Sequence, residues 1–178
     1  MTELWICRHT DLAHNEAHIH AEALLRSVLA SRHRAGANTF SLARGKYGKP
    51  YLINNAVRFS LSYTFGAFVL AVSDSEIGAD VEQLRTGKRY AAKRCFTDAE
   101  KRYLYEDAAL FDTRFYELWT QKEAYLKYMG RGFYQSPQGI DVLSAPIRNY
   151  LSTVTDDDII ISLCRHTRDR VHIYRKRM

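Results

Sequence analysis

The chain has 178 residues, 46% of them hydrophobic, enough for one ordinary domain or two closely packed smaller units with a real core. Its 26 Lys and Arg against 20 Asp and Glu leave a formal charge of +6, which calls for an anionic partner without choosing among phosphate groups, acidic protein surfaces, nucleic acid and lipid headgroups. Cys7, Cys95 and Cys164 stand far apart and outside any CxxC pattern, so neither a disulfide framework nor a zinc knuckle is indicated and a reducing, cytoplasmic compartment is expected.

The opening "MTELWICRHTDLAHNE" has no basic segment followed by a long apolar one, and no stretch reaches the roughly 18 apolar residues of a membrane span, so an unexported, soluble chain is expected. "LWIC" at 4–7 reads as a first strand, and "HNEAHIHAEALLRSVLASRH" as a helix with Ile19, Ala23, Leu24, Val28 and Leu29 apolar. "ARGKYGKPYL" reads as a glycine-rich loop. "VRFSLSYT" alternates Val57, Phe59 and Leu61 with Arg58, Ser60 and Ser62, the pattern of a half-buried strand.

"AFVLAVS" is a more buried strand, and the turn "SDSE" predicts a hairpin returning through "IGADVE". On that return strand Ile77, Ala79 and Val81 take one face and Gly78, Asp80 and Glu82 the other, because side chains alternate. "QLRTGKRYAAKRC" is a basic, loose junction that continues as helix. "FTDAEKRYLY" has Thr97 as N-cap with Glu100 three residues on, a capping box. A long helix follows over roughly 113–129, and "GIDVLSA", "DIIISLC" and "RVHIYRK" read as three strands giving the second half its own small sheet.

Along the long helix, at about 100° per residue, Phe115, Leu118, Trp119, Leu126 and Met129 make one apolar stripe with Lys122 inside it. Glu123 and Lys127 lie together on its flank. Spacing alone reads them as an exposed helix ion pair worth about 0.3–0.5 kcal/mol. The alternative joins Glu123 to Asp80 and Glu82 as oxygen ligands for a hard cation such as Mg²⁺, with coordination positions left for phosphate and water. A solvated strand face is the competing reading of Asp80 and Glu82.

"IGADVE", "RCFTDAE" and "FYELWTQKEAYLKYMGRGF", in this order and at these separations, resemble the signature blocks of the Sfp-type 4′-phosphopantetheinyl transferases. "YGKP" and "FSLSYT" resemble further blocks, so the likeness runs over roughly 24–133. It implies transfer of the phosphopantetheine arm of coenzyme A to a serine of an acyl or peptidyl carrier protein, with release of adenosine 3′,5′-bisphosphate. It also implies an α+β fold of two similar halves, 1–84 and 85–178, related by a pseudo-twofold with the active site in the cleft between them.

Residue by residue, the resemblance makes Asp80, Glu82 and Glu123 the Mg²⁺ ligands. Glu123 becomes a candidate general base and Lys127 the lysine over the phosphates. Lys122 contacts the diphosphate or braces the site, while Trp119 packs the helix. Gly48, Lys49 and Pro50 match the loop at the nucleotide end of the cleft, and Ser62 a residue near the 3′-phosphate. Arg26 matches a coenzyme-side position or makes a salt bridge. Gly130 and Gly132 release the helix into a turn.

Two departures stand out: Tyr63 where the family usually has His, and a short N-terminal segment holding His14, His18 and His20 in place of basic residues. Arg85, Lys88, Arg89, Lys93 and Arg94 beside Tyr90 suit the acidic helices of a carrier protein, placing its docking surface in 85–105. A monomer is expected, since the two halves complete their own cleft. A basic nucleic-acid-binding module is one alternative, but it leaves the three carboxylates unexplained. A degenerate homologue that binds coenzyme A or a carrier without turnover is another, and the retention of all three carboxylates speaks against it.

Overall fold

The computed structural model describes residues 1–10, 14–33, 40–131, 136–166 and 169–178, and of residues 14 and 15 the backbone alone. The side chain of His14 and all of Gly132, both singled out above, lie outside the described residues. In chain order, β1 (Thr2–Arg8) is followed by α1 (His14–His33), β2 (Leu42–Arg44), β3 (Pro50–Leu52), β4 (Arg58–Thr64), β5 (Ala67–Ser73) and β6 (Ile77–Gln83). Then come α2 (Arg89–Cys95), α3 (Asp98–Tyr105), α4 (Phe111–Met129), α5 (Ala145–Arg148), β7 (Leu151–Asp156), β8 (Ile159–Arg165) and β9 (Val171–Arg177).

Strand alternation sets the layers of this α+β fold. In β5, Phe68, Leu70 and Val72 pack under α1, while Ala67, Val69 and Ala71 face the second sheet, which is why "AFVLAVS" is apolar throughout. The first sheet has the order β4-β5-β1-β9 and the second β6-β8-β7. Leu4 and Ile6 of the first meet Ile77, Ala79, Val81, Ile159, Ile161 and Leu163 of the second in an apolar core between the sheets. Ile160, on the far face of β8, joins Phe96, Leu104, Phe115, Leu118 and Leu126 beneath α4. The layers therefore run α1, sheet, sheet, α4.

Several expectations change. "IGADVE" is a strand with the predicted facing, yet it forms no hairpin: β5 already pairs with β1 and β4 on its two edges, so β6 joins β8 in the other sheet. "RVHIYRK" leaves the second half and pairs in parallel with β1. "GIDVLSA" is not a strand, because Asp141 folds it into a turn, accepting from Leu143 N at 3.1 Å while Ser144 bonds its carbonyl at 2.6 Å. "LSTVTD" supplies β7 instead. The glycine loop carries a small hairpin, β2 paired with β3 around Gly48 at φ 86°.

The buried stripe of α1 is Ala17, Ala21, Leu24, Leu25, Val28 and Leu29, leaving Ile19 and Ala23 exposed. On α4, Met129 is exposed and Tyr116, Thr120 and Ala124 join the buried face. "FSLSYT" is buried on both faces. Its hydroxyls cap the free edge of β6: Ser60 Oγ accepts from Ala79 N at 2.9 Å, and Thr64 Oγ1 from Gln83 N at 3.1 Å. A strand edge buried between sheets must have its N–H groups satisfied, and these side chains do it.

Candidate functional site

Gly78 lets α4 lie directly on β6. A Cβ there would fall 2.0 Å from Ala124 O and 2.4 Å from Tyr128 N, so no side chain fits. This contact brings Glu123 and Lys127, one turn apart on α4, over Asp80 and Glu82 on the outward face of β6.

Asp80 is 5% exposed. Its Oδ1 accepts from Ser62 Oγ at 2.7 Å and from Lys127 Nζ at 2.6 Å, and Lys127 also donates to Ser62 Oγ at 2.8 Å. Asp80 Oδ2 and Glu123 Oε1 are shut off from solvent without any hydrogen-bond partner. Burial, reinforced by Asp80 and Glu82 and opposed by Lys127, pushes the Glu123 carboxyl up to about 7. Glu82 is likewise raised, by burial first and Asp80 second, against a hydrogen bond from Trp119. The surface ion pair that spacing alone suggested is therefore absent: Lys127 bonds Asp80, and the half-buried Glu123 feels the charge of Asp80 and Glu82.

Among the described residues, no three His, Cys, Asp or Glu side chains stand grouped as a metal cage. The donor set nevertheless fits a hard cation. It is all oxygen, and it holds two buried carboxylate oxygens, Asp80 Oδ2 and Glu123 Oε1, with nothing to bond.

Lys122 is placed as a brace. Fully buried, its Nζ pairs with Glu100 Oε2 at 2.7 Å, donates to Pro137 O at 2.8 Å, and bonds Ile140 O. Glu100 is the residue that sequence reasoning undervalued. Beyond closing the capping box on Thr97 N, it accepts from Val142 N at 2.9 Å and binds Lys122, so it ties α3, α4 and the 140–144 turn together. Its position at the third residue of α3 gave only the cap.

The remaining candidates lie around this center. Lys49 Nζ bonds Glu76 and Ile77 O, fastening the β2–β3 hairpin to the start of β6. With Pro50, Tyr51, Asn55, Arg58 and Gly130 it lines a groove of about 620 Å³ whose walls do not include the carboxylates. Gly130 sits at φ 64° as the helix C-cap, as expected. Arg26 is held by Glu22 at 2.8 Å and by Phe40 O at 3.1 Å, the salt-bridge alternative. Tyr63 packs against His18 with ring centroids 4.1 Å apart and the planes tilted by 40°, and burial lifts its hydroxyl to about 12. Glu82 and Arg85 form a shared wall between two smaller grooves, one lined by His9, Tyr63 and Thr64, the other by Lys88, Phe115 and Trp119.

The family model described as the 4′-phosphopantetheinyl transferase superfamily matches residues 76–174, which include the three carboxylates, Lys122 and Lys127. The chain belongs to the 4′-phosphopantetheinyl transferase superfamily. It is 29% identical over 138 residues to a 4′-phosphopantetheinyl transferase of Bacillus subtilis, covering 76% of this chain and 57% of that protein. It is 30% identical over 114 residues to the transferase Sfp of Bacillus subtilis strain 168, covering 62% and 50%. With the transferase gsp of Aneurinibacillus migulanus, 29% identity over 114 residues covers 64% and 48%. The chain spans about half the length of the curated relatives it matches. Within this superfamily member, the matched segment begins just before β6 and carries α4, so the shared part is the part that builds the acidic cluster.

Proposed function

We propose that the chain transfers the 4′-phosphopantetheine arm of coenzyme A to a serine of an apo acyl or peptidyl carrier protein and releases adenosine 3′,5′-bisphosphate. The observation that carries this reading is the placing of Glu123 and Lys127 of α4 over Asp80 and Glu82 of β6, with Lys127 and Ser62 both bonded to Asp80, in a chain of this superfamily. Asp80, Glu82 and Glu123 would hold Mg²⁺, which when bound neutralises charge gathering on the diphosphate. The serine oxygen forms a bond to the phosphorus bearing the pantetheine arm as the bond from that phosphorus to the bridging oxygen breaks. The electron pair leaves with the 5′-phosphate of the nucleotide. Glu123 receives the serine proton directly or through a water, and Lys127 stabilises the departing phosphate.

Gly48, Lys49, Pro50, Ser62 and Tyr63 are assigned to the coenzyme. Lys122 and Arg26, held by their own carboxylates, act by bracing. The layer order supports two similar α+β halves, 1–84 and 85–178, with β6 and β9 lodged in each other's sheets. Among the described residues no helix is long and apolar enough to cross a membrane. We assign the chain to the cytoplasm as a monomer.

Arg85, Lys88, Arg89, Lys93, Arg94 and Tyr90 are all exposed, which suits an acidic carrier docking across 85–105. Incubation with coenzyme A, Mg²⁺ and a panel of apo-carriers should add the mass of one phosphopantetheine group to a carrier serine. Binding of RNA with a steep salt slope, without use of coenzyme A, would favour the nucleic-acid alternative instead.

A further inference from the structure

Lys127 stands where the acidic cluster lacks positive charge. Its ammonium, Ser62 Oγ and Asp80 Oδ1 close a triangle with sides of 2.6, 2.8 and 2.7 Å. That triangle serves one oxygen of Asp80 and leaves Asp80 Oδ2 and Glu123 Oε1 buried and unbonded. A divalent ion shared by these carboxylates and an ammonium this close to Asp80 repel each other strongly at short range. The Lys127 side chain is 29% exposed and sits on a flexible four-carbon stem, so it has somewhere to go.

We propose that Lys127 is a resident counter-cation that a divalent ion must displace, and that a diphosphate eases the exchange by receiving the freed ammonium. The site then takes metal and diphosphate together in preference to metal alone. Thermodynamic reciprocity requires each to tighten the other. A lysine that merely met the phosphates from outside the cluster would leave metal binding unaffected. The inference rests on the assignment of Asp80, Glu82 and Glu123 as ligands under the proposed function.

The test uses Mn²⁺ as a paramagnetic probe, with free ion followed by electron paramagnetic resonance, on wild type, Lys127→Met and Lys127→Arg without coenzyme A. Lys127→Met should bind Mn²⁺ about tenfold or more tightly than wild type, and Lys127→Arg, which keeps the charge, should bind it no better. Equal affinity in wild type and Lys127→Met overturns the exchange and leaves Lys127 a structural ion pair, whatever the loss of metal-free melting temperature. Should Lys127→Met not fold, wild type decides alone. Coenzyme A must then tighten Mn²⁺ beyond their association in solution, and independent binding overturns the proposal. No Mn²⁺ binding to any variant overturns both this proposal and the metal assignment. Tighter Mn²⁺ in Lys127→Met, with no transfer by wild type to any carrier, upholds the exchange and sinks only the transferase reading.

Discussion

Lys122 and Lys127 stand on the same helix and meet opposite surroundings. Burial pushes the Lys122 ammonium down while Glu100 holds it up, and the pair is wholly enclosed. Lys122→Met leaves Glu100 buried without its cation and should cost about 3–5 kcal/mol of stability in denaturant unfolding. The double variant Lys122→Met/Glu100→Gln should recover part of that loss; an unchanged midpoint in the single variant would contradict the brace. Glu123 gives a second residue-scale prediction. Its folded pKa of about 7 lies above the ordinary 4.5 of a glutamate, so the folded state holds the proton more tightly than the unfolded. The stability this contributes is complete below about 4.5 and is lost as pH rises through about 7. With chelator present, Glu123→Gln should therefore gain on wild type across that window in thermal melts and run parallel to it above. A constant offset would place the acid outside the buried cluster.

At the scale of elements, the contact of α4 with β6 depends on the absence of a side chain at Gly78. Gly78→Ala drives a methyl into the backbone of α4 and should cost about 3 kcal/mol or more, with loss of metal binding, as read from unfolding and Mn²⁺ titration. Ser60→Ala strands the buried Ala79 N–H and should cost about 1–3 kcal/mol. Sequence made the facing of β6 legible, since alternation alone puts Asp80 and Glu82 on the side of Gly78. The capping box of α3 was equally legible because it is local. Strand partners were not: a turn such as "SDSE" serves a hairpin or a crossing between sheets, and only the edges already filled on β5 decide. The hydroxyls of "FSLSYT" misled for the same reason, since polar alternation reads as a solvent face when its partner strand is unknown. Spacing alone made Glu123 and Lys127 a surface pair, because periodicity along one helix says nothing of the strand beneath it; only the resemblance joined them to Asp80 and Glu82.

At the scale of the whole molecule, the layers leave a basic, aromatic face on the side of α2. There Arg89 lies 4.3 Å over the Phe111 ring and Arg94 donates to Tyr90 OH at 3.0 Å. Replacing Lys88, Lys93 and Arg94 by Glu should slow encounter with an acidic carrier at low salt, with the difference from wild type shrinking as salt screens it. An unchanged salt dependence of kcat/KM would move the docking face elsewhere. The most direct measurement of the central claim is the intact mass of an apo-carrier after incubation with coenzyme A and Mg²⁺, run beside Asp80→Ala and Glu123→Ala variants shown to be folded. The account predicts one phosphopantetheine group added by wild type, none by either variant and none with chelator. Transfer at the wild-type rate by Asp80→Ala or Glu123→Ala would contradict it.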